Sequence, residues 1–102
     1  MVKDGKEGGE DMKIYKYPLQ LAEVQTVDMP KGAKILCAGA QNGSIVIWAM
    51  VNPTFPLGGR TIRIVGTGWE TKAGIKYISS VQIDTFVWHI FEEEGDNETD
   101  NL

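Results

Sequence analysis

The chain has little with which to build metal or redox chemistry. Its 102 residues hold one cysteine, Cys37, and one histidine, His89. A single thiol excludes an intramolecular disulfide, and the pair is too few for a structural zinc site. No metal and no cofactor is therefore expected. No apolar run approaches the roughly 18 to 20 residues that a membrane-spanning helix needs, so no membrane partner is expected either. The N-terminal stretch Met1–Asp11 is charged and glycine-rich with no apolar h-region behind it. That excludes a secretory signal and points to the cytoplasm. Internal repeats and long helical periodicity are also missing.

Positive charge is missing from the C-terminal end and outnumbered at the N-terminal end. The formal charge is −4 overall. Met1–Asp11 sets two lysines against four carboxylates, and Glu92–Leu102 carries six carboxylates and no cation. Between them, Met12–Phe91 holds eight Lys/Arg against four Asp/Glu. The folded part is thus mildly basic although the whole-chain pI is 4.9, and it admits anionic ligands. The acidic ends repel phosphate and disfavour tight binding to a DNA or RNA polymer. The organisation read from composition is a disordered tail over 1–11, a single β domain over 12–92 and an acidic disordered tail over 93–102. Met12 begins the ordered sequence and is an alternative start to Met1.

What is present is strand patterning. Met12–Tyr17 alternates and is halted by Pro18. Leu19–Asp28 alternates imperfectly, with Val24, Thr26 and Val27 favouring a strand. Met29-Pro30-Lys31-Gly32 reads as a turn. Ala33–Ala40 and Ser44–Val51 flank Asn42-Gly43, which supplies the positive φ angles of a type I′ hairpin turn. That turn predicts a register: Gln41 opposite Ser44, Gly39 opposite Val46, Cys37 opposite Trp48 and Ile35 opposite Met50 on one side. On the other side Ala40 faces Ile45, Ala38 faces Ile47 and Leu36 faces Ala49. Both faces are apolar, so one should meet the core and the other a second layer or another subunit. Asn52–Gly59 reads as a loop, Arg60–Gly66 as a strand, Gly66–Gly74 as a loop, Ile75–Ile83 as a strand, Asp84-Thr85 as a tight turn and Phe86–Phe91 as a strand. The fold class is all-β: a compact antiparallel sheet or small β-sandwich of six to seven strands, expected to be a homo-oligomer.

An ordered string of short motifs carries a resemblance: Tyr15-Lys16-Tyr17-Pro18-Leu19, Gln25, Met29–Leu36, Gln41-Asn42-Gly43, Ile47-Trp48-Ala49, Arg60, Gly66-Thr67-Gly68 and Val87–Glu92. Over residues 12–92 the chain resembles a family of small phage and prophage proteins known only as a domain of unknown function. The first eleven residues and the acidic tail lie outside that resemblance. It implies a phage-encoded protein of the host cytoplasm. Small phage β proteins of this kind are similar to viral sponges, oligomers that sequester the cyclic nucleotide signals of bacterial immunity, such as those of CBASS or Thoeris systems.

Candidate ligand-binding residues are Arg60, Gly66, Thr67, Gly68 and Trp69. Two glycines around a hydroxyl can expose successive amides as an anion nest. Trp69 could stack on a base, worth ~1–3 kcal/mol. The plainer reading is a glycine-lined turn with a partly buried Trp, since the segment lacks the spacing of a phosphate-binding P-loop. Arg60 suits bidentate phosphate recognition, and Arg63 points to the opposite face. Lys72 and Lys76 add positive potential but read first as surface residues. Trp48 and Trp88 read as core or subunit interface. His89 has no catalytic partner fixed by spacing: Asp84 sits in the adjacent turn and Cys37 in an apolar hairpin. The acidic tail reads as a solvating extension. The function expected is a non-enzymatic, anti-CBASS-type sponge that sequesters a cyclic di- or trinucleotide. The alternative is a phage accessory or structural protein acting through protein–protein interaction. A nucleotide-cleaving enzyme is the least supported, because spacing assembles no carboxylate pair, metal cluster or nucleophile–base pair.

Overall fold

Period-two alternation becomes seven strands in the computed structural model, which describes residues 11–94. They are β1 (Lys13–Pro18), β2 (Val24–Pro30), β3 (Lys34–Gln41), β4 (Ser44–Val51), β5 (Leu57–Gly66), β6 (Ile75–Ile83) and β7 (Phe86–Glu93). All pairing is antiparallel, in a three-stranded sheet of order β1-β4-β3 and a four-stranded sheet of order β2-β5-β7-β6. The all-β expectation holds, at the upper strand count. Residues 1–10 and 95–102, where most of the two tails fall, lie outside the described residues.

The β3–β4 turn is as its residues require. Asn42 and Gly43 take φ of 52° and 78°, both in the left-handed region that a type I′ turn demands. From the turn the pairs run Gln41–Ser44, Ala40–Ile45, Gly39–Val46, Ala38–Ile47 and Cys37–Trp48 as expected. The register then shifts. Leu36 bulges out, Ile35 faces Ala49 and Lys34 faces Met50, in place of the expected Leu36–Ala49 and Ile35–Met50 pairs. The bulge keeps Ile35 against the core and leaves Leu36 exposed.

Three other element boundaries differ from the sequence reading. Residues 19–23 are not strand; the Gln25 side chain instead bridges the backbone N–H and C=O of Gln20, at 3.0 and 2.8 Å. The strand β2 runs through Pro30, so the turn is centred on Lys31-Gly32 and closed by Ala33 N–H donating to Pro30 O at 3.1 Å. The strand β5 starts at Leu57, not Arg60. Gly59 fits because any Cβ there would stand 2.9 Å from Thr26 Cγ2 on the neighbouring strand. Before it, the buried Asn52 closes a tight loop, its Oδ1 accepting from Thr54 N–H and Oγ1–H at 3.0 and 2.7 Å.

The inner faces meet over a core of Ile45 and Ile47 from β4, Ile62 and Ile64 from β5, Val81 from β6 and Ile90 from β7, with Leu19. Ile47, Ile62 and Ile90 are fully buried, each worth about 1.5–3 kcal/mol relative to exposure. A second cluster gathers Met29, Ala33, Ala49 and Val51, with Tyr17 packed against it. Burial there, and then the Tyr15 phenol beside it, raises the Tyr17 phenol above its ordinary value. The other face of β4 carries Val46, Trp48 and Met50. Trp48 lies over Gly39, where an added Cβ would come within 3.0 Å of its ring. On that face Val46 is buried, whereas Cys37 is exposed.

The two sheets join at a seam between β3 and β6. Ala38 N–H donates to Ser79 Oγ at 2.9 Å, which satisfies an amide on an edge strand. Beyond this contact β6 also shifts register, between Tyr77 and Ser79, so that Ile78 bulges as Leu36 does on β3.

Candidate functional site

The paired bulges part the two edge strands into a cleft of about 310 Å³. Lys34 and Leu36 from β3, Arg60 from β5, and Lys76, Tyr77 and Ile78 from β6 line it. Its volume is at the lower end of small-ligand sites, roughly 300–1,000 Å³. Lys34 and Lys76 form no ion pair among the described residues. Lys76 stands opposite Glu92 in the strand register, yet Glu92 turns to Arg60. Tyr77 is 57% exposed, with its ring packed edge-on against Phe91 at 5.7 Å.

Arg60 closes one wall. Its Nε and Nη2 donate to Glu92 Oε2 and Oε1 at 2.5 and 3.2 Å, and its Nη1 donates to Ala33 O at 2.9 Å. The guanidinium therefore ties β5 to β7 and to the turn before β3. A guanidinium has five N–H donors, so two stay uncommitted here. Arg60 thus lines a basic cleft as half of an ion pair. Lys34 and Tyr77 were not singled out from sequence, and Lys76 only as surface charge. What joins them is a pair of bulges, at Leu36 and Ile78, which no local pattern announces.

Gly66, Thr67, Gly68 and Trp69 sit elsewhere. Arg60 and Gly66 are six residues apart on one strand, about 20 Å at roughly 3.3 Å per residue, so one copy does not gather the five candidates into one pocket. Gly66–Trp69 is a tight turn: Trp69 N–H donates to Gly66 O at 3.0 Å, and Gly68 has φ of 89°. That bond takes one amide an anion nest would use. Trp69 folds back over Gly66 and meets Trp88 edge-on at 5.5 Å, and Trp88 stacks on Phe86 at 5.9 Å. Trp69 is still 54% and Phe86 62% exposed, so this end presents an aromatic surface.

Thr67 points the other way, to the outer face of the four-stranded sheet, and bonds His89. Neither Asp84 nor Cys37 is a partner of His89, whose ring nitrogens meet Thr67 and Ser80. Further along this face, Arg63 and Lys72 converge on Glu93, Lys72 at 3.2 Å. The hydrogen bond from Arg63 is the main cause that holds the Glu93 carboxyl below its ordinary value; Lys72 adds to it and partial desolvation opposes it. Glu92, the last residue of the expected domain, and Glu93, the first of the expected tail, are therefore both strand residues with cationic partners. Among the described residues no group of three or more His, Cys, Asp or Glu is placed to hold a metal ion, and no helix is long and apolar enough to cross a membrane.

A family model described as a domain of unknown function (DUF7352) matches residues 11–101. The match takes in the acidic segment that the motif resemblance leaves outside. No curated protein and no solved structure matches the chain.

Proposed function

The chain belongs to the DUF7352 family, a domain of unknown function, and from that premise we propose that it is a binding protein whose cleft between β3 and β6 captures a phosphate-bearing nucleotide. The reading favoured is sequestration of a cyclic di- or trinucleotide immune signal without cleavage, by a phage-encoded homo-oligomer in the host cytoplasm. The observation that carries it is the composition of the cleft: two lysines that form no ion pair among the described residues, an arginine with spare donors, a tyrosine ring, and apolar walls from Leu36 and Ile78. Ammonium groups and guanidinium donors suit phosphate, and an exposed aromatic ring suits a base. The likeness of the short motifs to phage proteins supplies the biological setting. Sequestration requires no reacting group, only complementarity. One cleft has room for about one nucleotide unit, so a cyclic oligonucleotide would be shared by clefts of symmetric copies.

The test is a thermal-stability screen of the purified protein against cyclic di- and trinucleotides and ADP-ribose-type signals, followed by heat release and analysis of the ligand. At a hundredfold excess over Kd a ligand that binds only the folded state raises the midpoint by about 10 °C or more. Recovery of intact ligand supports sequestration; recovery of cleaved product replaces it with an enzyme. No shift with any nucleotide removes the reading. The second reading, a phage accessory or structural protein that docks on another protein, is favoured by one observation. The three-stranded sheet exposes Ile14 and Cys37 on one face, and Leu36 is exposed beside them. A pulldown from infected cells that returns only chaperones would count against it.

A further inference from the structure

On the outer face of the four-stranded sheet, away from the cleft's basic wall, hydroxyl and imidazole groups line up across three strands. Tyr77 Oη lies 2.9 Å from Ser80 Oγ. Ser80 Oγ lies 2.8 Å from His89 Nδ1, and His89 Nε2 lies 2.8 Å from Thr67 Oγ1. The register explains the placement: Ser80 and Val65 are the cross-strand partners of His89, and Thr67 follows β5 two residues beyond Val65. None of these groups belongs to the Arg60–Glu92 pair or to the lysines of the cleft.

Two polarities satisfy these contacts. In one, Thr67 Oγ1–H donates to His89 Nε2 and Nδ1–H donates to Ser80 Oγ. In the other, the Thr67 proton turns to Val87 O at 3.5 Å, Nε2–H donates to Thr67, and Nδ1 accepts from Ser80, whose oxygen accepts from the Tyr77 phenol. The second is the polarity in which Ser80 can lose its proton to the ring. It is the polarity of a hydroxyl nucleophile with an imidazole base, in which a third group fixes the tautomer. Here that third group is a neutral threonine hydroxyl, a weaker orienter than a carboxylate.

We propose that Ser80 is an activated nucleophile, with His89 as its general base and Thr67 as a positioning residue, that accepts an acyl group from small activated esters. Ser80 Oγ forms a bond to the acyl carbon while its proton passes to His89 Nδ1. The bond from that carbon to the leaving oxygen breaks, and His89 returns the proton to the leaving group. Water then attacks the acyl carbon, His89 takes the water proton and passes it to Ser80 Oγ, and a carboxylic acid departs. Ser80 and Tyr77 are exposed, so the acceptor takes small substrates from an open face. Tyr77 also lines the cleft, but Ser80, His89 and Thr67 do not, so their variants test this proposal apart from nucleotide capture.

The full-length protein is treated with a fluorophosphonate probe at pH 8 and mapped by peptide mass spectrometry, in parallel with a p-nitrophenyl acetate burst assay. The expected result is one adduct, on Ser80. It is absent in Ser80→Ala, slowed about a hundredfold or more in His89→Gln, as removal of a general base implies, and slowed severalfold in Thr67→Val. Circular dichroism checks the fold of each variant. If His89→Gln does not fold, Thr67→Val decides alone, because its side chain keeps the shape and loses the hydroxyl that meets His89 Nε2. No adduct, a label spread over other exposed hydroxyls such as Ser44, or labelling of Ser80 at an unchanged rate in the folded variants overturns the proposal.

Discussion

Gly66 shows how a single hydrogen atom can position a larger group. A Cβ at this position would stand 2.8 Å from Trp69 Cε2, and the ring it meets leans edge-on against Trp88. The substitution Gly66→Ala should lift Trp69 off its neighbour, red-shift tryptophan emission, and cost about 0.5–1.5 kcal/mol of ring contact; an unchanged spectrum would contradict the packing. At the cleft, Arg60→Ala leaves the half-buried Glu92 without its bidentate partner and Ala33 O without a donor. Loss of about 1.5–3 kcal/mol is expected in urea unfolding, from hydrogen bonds to a charged group. A neutral result would mean that Arg60 is not a strut between the sheets.

Elements were legible to different degrees, for physical reasons. The β3–β4 hairpin could be read because two adjacent residues, Asn42 and Gly43, dictate both the turn and the first five pairs. Its later pairs could not, because the Leu36 bulge shifts the register and no turn residue announces it. The start of β5 was missed because glycine at 58 and 59 reads locally as loop, whereas Gly59 is there to let Thr26 approach. The cleft depends on both bulges and was invisible to local pattern; of its residues only Arg60 was favoured. Ser79 exposes the same limit: a polar residue amid strand alternation turns out to hold the seam. Ser79→Ala should leave the Ala38 amide without its partner and cost about 1–3 kcal/mol, with faster hydrogen exchange at that amide. Protection equal to the wild type would show that the seam does not depend on the hydroxyl.

At the scale of the molecule, charge is more orderly than the sequence suggested. Glu92 and Glu93, which straddle the boundary between the expected domain and its acidic tail, each pair with an arginine of β5. Because the folded state holds the Glu93 carboxyl below its ordinary value, its contribution to stability is fully present above the unfolded glutamate range, about pH 4–5. It is lost as pH falls through the lower folded value. Midpoints should therefore drop more steeply below about pH 4 in the wild type than in Glu93→Gln. Parallel curves would contradict the pairing. With its carboxylates engaged, the basic surface left facing the cleft is that of Lys34 and Lys76.

The most direct test of the account is equilibrium titration of a cyclic nucleotide identified by thermal screening, into the wild type and into Lys34→Ala/Lys76→Ala. If the cleft holds the phosphates, the double variant stays folded and binds at least tenfold more weakly, and the wild-type affinity falls with added salt. Equal affinity in a folded double variant would place any binding elsewhere and contradict the assignment of the cleft.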